Sequence, residues 1–374
     1  MSSAEAGRIV ARAVHEYSPK SKTTIKNFAD GGEGTVQAIL ENYEYTEHKV
    51  ETVGANGIPI VASWFFLKEE QIALFEMASV VGLPLLTVED LNPEKTSTLG
   101  IAPIILDILN KKVKKVWLAA GGTSTLDAGL GLLKGMGVRF KNKEYPKNLI
   151  EIKGSEVLDF SKVETSNKNL QPYPEKGNCL FPSVIFDIIA DVHAPLLGSK
   201  GAVFAFGKQK GATPKNTALL ERGMVNFSNV IQGKTKDPSF LKLGGLGAAG
   251  GIALGLSLLF KVNIKKGADF IVAKTGINKT IDNCDILITG EGQFNSQSKQ
   301  GKGPWVLASL AKERNIPALI ISGLKMRKED KVGDFHFLET SNSSPKSKTE
   351  AKENLFNATT KWLKENEVNN NETK

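Results

Sequence analysis

The sequence predicts an α/β protein of two domains, one inserted into the other. Three observations carry that reading. Apolar runs of strand length end in glycine-rich loops bearing polar or acidic residues, and helix-like segments follow two of them. Consecutive strand-like runs interrupt the strand–helix alternation near residue 48. The alternation then resumes near residue 285. An outer domain of residues 1–47 and 279–366 is therefore expected, split by an α/β insert with a mixed sheet at 48–278. Residues 367–374, rich in Asn, Glu and Lys, are expected to be a disordered tail.

The elements follow in order. Ala4 to Tyr17 carries charges along its length and reads as a helix rather than a signal peptide. Thr23–Phe28 reads as a strand, entering the loop Ala29-Asp30-Gly31-Gly32-Glu33-Gly34 and a helix from Thr35 to Asn42. Val50–Val53, Ile58–Leu67 and Ile72–Met77 read as successive strands, the first two joined by a turn at Gly54-Ala55-Asn56-Gly57. Ile101–Leu109 is a helix and Val116–Ala120 a strand, running into Gly121-Gly122-Thr123-Ser124-Thr125 and a helical stretch from Asp127 to Gly135. A short strand, Val138–Phe140, precedes the polar stretch Tyr145–Asn178, which reads as excursion loops with one short strand. Val184–Asp191 is a buried strand and Pro214–Ile231 a helix. Gly244–Phe260 is uncharged and apolar but holds six glycines and is too short to span a membrane, so it reads as a buried helix. Strand Ile286–Thr289, loop Gly290-Glu291-Gly292, helix Pro304–Arg314, strands Ala318–Ser322 and Phe335–Leu338, and a helix from Glu350 to Glu367 complete the chain.

Composition narrows the function. The formal charge of +8 is mostly lysine, and its runs lack the interleaved aromatics that single-stranded nucleic acid requires. The positive field suits a small anionic substrate, with neither nucleic acid nor membrane as partner. Two cysteines, Cys179 and Cys284, make no disulfide framework and fit a cytoplasmic location. The four histidines have no metal-ligand spacing; His193 alone has a carboxylate, Asp191, nearby. No Gly-x-x-x-x-Gly-Lys-Ser/Thr loop occurs. Gly245-Leu246-Gly247-Ala248-Ala249-Gly250 has dinucleotide spacing but no convincing strand before it, so a close-packed helix start is the better reading.

Glycine loops at the carboxyl ends of strands hold anionic oxygens on backbone N–H groups. Gly31, Gly32, Gly121, Gly122, Thr123, Ser124, Thr125, Gly290 and Gly292 are such candidates. Carboxylates there can hold Mg²⁺ or take a hydroxyl proton: Asp191 first, then Asp30, Glu33, Asp127 and Glu291, with the division among them open. Lys210 and Lys302 are candidates to neutralise phosphate. An enzyme handling phosphate is the common implication.

In order and spacing these loops resemble the bacterial glycerate kinase family, the type acting on D-glycerate. The likeness runs through Ala29 to Thr35, Glu76-Met77-Ala78-Ser79 with Gly82-Leu83, Gly121 to Thr125 with Asp127, and Asp191-Val192 with Pro195 to Gly198. It continues in Phe206-Gly207 with Gln209 to Ala212, Gly247 to Gly251, Ile288 to Gly292, Gln297, and Gly301-Lys302 with Pro304. The resemblance implies a flavodoxin-like domain with an inserted domain likened to the restriction-endonuclease fold. It also implies ATP, Mg²⁺ and a small hydroxy-carboxylate in a cleft between domains, with Gln297 among the matching residues expected to bind substrate. For an ATP-dependent kinase of D-glycerate, Asp191, Lys210 and Glu291 are then the expected catalytic residues, with Asp191 the first candidate for Mg²⁺ or base. The chain departs from the family pattern at Leu99, Ala102, Leu126, Ala128, Ala194, Gln293 and Asn295. Those exchanges leave open a catalytically silent, ligand-binding relative or a kinase of another small hydroxy acid. The family pattern also begins with a strand and a Pro-Asp-Ser-Phe-Lys-Gly loop, and Met1 aligns inside the helix cap that follows. The resemblance therefore leads us to expect a longer reading frame supplying that segment.

Overall fold

The structure, a computed structural model, describes residues 1–141, 143–163, 179–191, 194–232, 244–296, 298–331 and 335–366. Val192, His193, Gln297 and the tail from residue 367 lie outside the described residues. The chain divides into two units: Met1–Asp30, Gln37–Asn42 and Ala268–Lys374 form the first, Gly31–Val36 and Tyr43–Gly267 the second. Both are α/β.

The second unit is built on a six-stranded mixed sheet in the order β1-β2-β3-β4-β7-β8. Its strands are β1 (Tyr45–Val53), β2 (Pro59–Leu67), β3 (Ile72–Glu76), β4 (Lys115–Ala119), β7 (Phe181–Ala190) and β8 (Phe260–Lys266). The short pair β5 (Arg139–Phe140) and β6 (Leu158–Asp159) lies apart from it. β1 and β2 are antiparallel and pair Val53 with Pro59 across the expected turn. The turn closes through the Gly54 N–H to the Ile58 carbonyl at 2.8 Å, and Gly57 takes the left-handed φ of 83°. From β3 onward the strands β3, β4, β7 and β8 are parallel. Their carboxyl ends therefore lie along one edge, where α/β sheets bind ligands.

The core of this unit follows from periodicity. In the helix Ile101–Asn110, residues Ile101, Ile104, Ile105, Ile108 and Leu109 recur at helical spacing, and all are fully buried. They pack with Phe75, Val116, Leu118 and Phe186 from the sheet. β8 is a strand that the sequence reading missed. Phe260, Val262 and Ile264 alternate with Lys261, Asn263 and Lys265, the period-two signature of a half-buried edge strand. The helix expected across Gly244–Phe260 is shorter, Ile252–Leu259. Before it Ala249, Gly250 and Gly251 all have positive φ, and a Cβ on Gly250 would lie 2.1 Å from the Thr125 carbonyl oxygen. The glycines with dinucleotide spacing thus let backbone meet backbone.

The first unit holds a parallel three-stranded sheet, β11-β10-β9, of β9 (Leu287–Glu291), β10 (Ala318–Ser322) and β11 (His336–Glu339). Helix Gly303–Glu313 covers one face through Leu307, Ala308 and Ala311. Helices Ser3–Tyr17 and Lys348–Glu365 pack on each other, so the first and last helices of the unit close it. Each starts with a serine cap, Ser2 accepting from the Glu5 N–H at 3.3 Å and Ser347 from the Glu350 N–H at 3.1 Å. Glu5 meets Lys348 and Lys352 at 3.1 and 2.5 Å, and the Arg12 guanidinium lies 4.3 Å over the Phe356 ring.

One expected strand is absent. Thr23–Phe28 forms no ladder with any described residue. Without a partner, β-branched residues do not make a strand. The run packs by side chain instead, with the Phe28 ring 2.7 Å from where a Cβ on Gly303 would sit.

Leu118 is fully buried in β4, so Leu118→Ala should lower unfolding free energy by about 3 kcal/mol. Val88→Ala, at a side chain 80% exposed, should change it by less than about 0.5 kcal/mol. Chemical denaturation of the two variants checks both values.

Candidate active site

In the second unit three loops meet at the carboxyl ends of β3, β4 and β7. The ladder aligns Glu76 with Ala119 and Ala119 with Ile189, so Glu76, Gly121 and Asp191 stand at the ends of three adjacent strands. Gly31 and Gly32 close against the same edge. The Gly121 N–H donates to the Gly31 carbonyl at 2.8 Å, and a Cβ on Gly121 would lie 2.4 Å from the Gly32 Cα. Gly31 has φ 103°, and a Cβ there would fall 2.9 Å from Ala190 Cα. These glycines are needed because three backbones approach too closely for a side chain.

The loop after β4 is held from two sides. Toward β3, the Ser124 N–H and hydroxyl both donate to the Val81 carbonyl, at 2.8 and 2.9 Å, and the Leu83 N–H donates to the Gly122 carbonyl at 2.8 Å. Toward the interior, Lys210 Nζ donates to the Thr125 carbonyl at 2.7 Å and to Thr123 Oγ1 at 3.2 Å. Of the amides expected to receive an anion, those of Gly121 and Ser124 are therefore engaged within the protein. Thr125 Oγ1 is buried and finds no partner.

Asp127 is buried and saturated. Its Oδ2 accepts from the Thr98 N–H at 2.8 Å, the Thr98 hydroxyl at 2.9 Å and the Gly131 N–H at 3.1 Å, while Oδ1 accepts from the Gly129 N–H at 3.1 Å. Burial raises its pKa against those four donors. Both its oxygens shape the start of the helix Leu130–Gly135. Ala128 beside it has φ 51°, a left-handed conformation that costs an L-residue with a Cβ roughly 1–2 kcal/mol.

The carboxylate that the sequence reading left unassigned is Glu76. Its Oε1 is buried without a hydrogen-bond partner. Burial, and then the charge of Glu33, push its pKa up to about 7, with the Gly34 N–H opposing them. Glu76 begins one of the matching motifs, and its place at a strand end was the signal available. Lys210 also titrates near neutrality: burial pushes it down to about 7, with Asp127 acting the other way. Groups displaced toward neutral pH by burial and a named charge are characteristic of catalytic sites.

The first unit has its own polar centre at the end of β9. Glu291 Oε1 is buried without a partner. Burial raises the Glu291 pKa against the Ser298 hydroxyl and the Lys302 charge, with Asp30 adding to the rise. Gly290 packs against β10, a Cβ there falling 2.4 Å from the Ile321 carbonyl oxygen. Gly292 is exposed and has open space in the same position.

No group of three His, Cys, Asp or Glu side chains among the described residues is placed to hold a metal ion. A magnesium–nucleotide complex does not require one, since Mg²⁺ keeps several waters and takes one or two carboxylates. Asp191, half-buried at the end of β7, is an oxygen donor of that kind. No helix among the described residues is long and apolar enough to cross a membrane.

Strand-end carboxylates, glycine loops and near-neutral groups define an α/β enzyme of the phosphate-handling kind. The comparisons make the class definite. A model of the glycerate kinase family matches residues 1–368, and the chain belongs to that family. It is 30% identical to a glycerate kinase of Halalkalibacterium halodurans, over 86% of this chain and 82% of that one. It is 33% identical to a glycerate kinase of Neisseria meningitidis, over 79% and 74% of the two chains. A crystal structure from Salmonella typhimurium assigned as a glycerate kinase 2 superposes with TM-score 0.72 at 25% identity, covering 98% of this chain and 95% of that one.

Because Glu76 holds its proton more tightly folded than unfolded, its stability penalty is absent below about pH 4.5 and complete above about pH 7. Glu76→Gln removes the penalty. The variant should match the parent near pH 4.5 and exceed it at pH 8 by on the order of 2 kcal/mol, after allowance for residual solvent contact. Urea melts at the two pH values measure the difference.

Proposed function

We propose that this chain is an ATP-dependent kinase that phosphorylates a hydroxyl of D-glycerate, with Glu76 accepting the hydroxyl proton. The observation that carries the assignment to Glu76 is its partnerless, buried Oε1 beside Glu33 at the end of β3. A carboxylate displaced to about 7 is matched to proton transfer at neutral pH, where a solvated one is too weak a base. Family membership supports the reaction class, and the relatives' names support glycerate as the acceptor.

Phosphoryl transfer asks a protein mainly for position and charge. In this reading Glu76 orients the acceptor hydroxyl and takes its proton, while Glu33 keeps Glu76 basic enough to do so. Asp191 is the proposed holder of Mg²⁺, which when bound neutralises phosphate oxygens. The loop Gly121–Thr125 ties the segment after β3 to the Gly31 turn through its own backbone bonds. In the first unit, the open backbone at Gly292 and the half-buried Lys302 suit phosphate by themselves.

A coupled assay of the purified chain with ATP, Mg²⁺ and D-glycerate should show turnover, falling as pH drops below about 7 because Glu76 must be deprotonated. Glu76→Gln should lower kcat by about 10²–10⁴-fold and abolish that acidic limb while its melts stay cooperative. Asp191→Asn should raise the Mg²⁺ concentration needed for half-maximal rate. Turnover with other small hydroxy acids but not glycerate would reassign the substrate. A folded wild type that transfers phosphate to none of them would favour the ligand-binding reading.

A further inference from the structure

Lys210 is 3% exposed, and no other lysine is buried among the described residues. It ends a tight turn, Lys208–Lys210, that Gly211 terminates with φ 89°, where a Cβ would lie 1.9 Å from the Leu91 carbonyl oxygen. The turn is thus packed closely against the Leu91 backbone, and the Lys210 side chain lies in the interior. Its ammonium reaches two atoms of one loop, the Thr125 carbonyl and the Thr123 hydroxyl. That loop is bonded through Gly122 and Ser124 to Val81 and Leu83, in the segment that begins at Glu76. Thr123 also forms a bridge with Gly82.

We propose that Lys210 is a positioning residue: its buried ammonium clamps Thr123 and Thr125, and through them sets the position of the segment bearing Glu76. The activity side of this inference rests on the kinase reading above; its structural side does not. An ammonium has three protons, and two of them point at protein oxygens. A lysine this deep does not serve as the mobile point charge that a phosphate meets at a surface.

The clamp depends on charge. Hydrogen bonds from an ionised donor are about twice as strong as those from a neutral one. Burial brings Lys210 down to about 7, so the folded protein loses the charged form as pH rises through neutrality. Asp127 is the charged group that acts on it, and it favours the protonated form. The clamp is thus strongest below pH 7 and slackens above it. Since Glu76 must lose a proton while Lys210 must keep one, activity is confined between two limbs near neutrality.

Two measurements on the full chain test this. Hydrogen exchange of the apo protein should be several-fold faster in peptides covering 77–83 and 119–126 for Lys210→Met than for wild type, with peptides covering 318–322 unchanged. Thr123→Val, which removes one clamp bond and no charge, should show a smaller effect in the same peptides. In the assay, Lys210→Met should lose about 10²-fold in kcat with little change in the KM for ATP. It should also lack the alkaline limb that wild type shows above about pH 7. Unchanged exchange at 119–126 would overturn the proposal. So would a loss carried by the KM for ATP, as expected of a lysine that touches phosphate. A folded wild type that transfers phosphate to neither glycerate nor another small hydroxy acid would sink the kinase reading alone, because the exchange comparison decides the clamp without turnover.

Discussion

The second unit's chemistry depends on one buried carboxylate. Asp127 gathers the Thr98 amide and hydroxyl and the amides of Gly129 and Gly131 onto its two oxygens. An ionised side chain taken out of water is tolerable only when its acceptor sites are filled. Filling them fixes how the loop after β4 turns into the helix behind it. It also gives Lys210 a nearby negative charge inside the protein. The loop between Gly121 and Thr125 is consequently held by its neighbours before any ligand arrives, which is the condition for electrostatic stabilisation without reorganisation.

The two near-neutral groups are displaced for the same reason and in opposite directions. Glu76 rises and Lys210 falls because each loses water. Each is then partly restrained by a neighbour, the Gly34 N–H for the acid and the Asp127 charge for the base. Burial, a property of packing, thus brings both groups to titrate near pH 7, while the Gly34 N–H and the Asp127 charge keep part of each in its charged form.

That also explains what could be read from the sequence. The meander of β1 to β3, the parallel strands β4 and β10 and the helix Ile101–Asn110 were legible because their apolar periods are local. The strand-end loops were legible because glycines and acids follow those runs directly. Thr23–Phe28 misled because strand propensity says nothing about the presence of a ladder partner. β8 was hidden by the apolar helix immediately before it, although its own alternation was visible. Asp127 looked like a ligand group because its partner Thr98 lies 29 positions earlier in sequence. Lys210 read as a phosphate partner because the Thr123 hydroxyl and Thr125 carbonyl that its ammonium reaches lie 87 and 85 positions away in the chain. The raised pKa of Glu76 depends in part on the proximity of Glu33, which no local pattern encodes.

The packing of the first helix on the last has a consequence for how the protein is made. Helix Ser3–Tyr17 leaves the ribosome well before its partner Lys348–Glu365, which begins some 330 residues later. At synthesis rates of about 5–20 residues per second, the amphipathic face of the first helix waits roughly 15–70 s for its cover. All the strands of the second unit emerge within that interval, so its sheet can assemble while the first unit is still incomplete. The order of translation thus favours a folded insert and an unpaired leading helix, a nascent species with reason to engage chaperones.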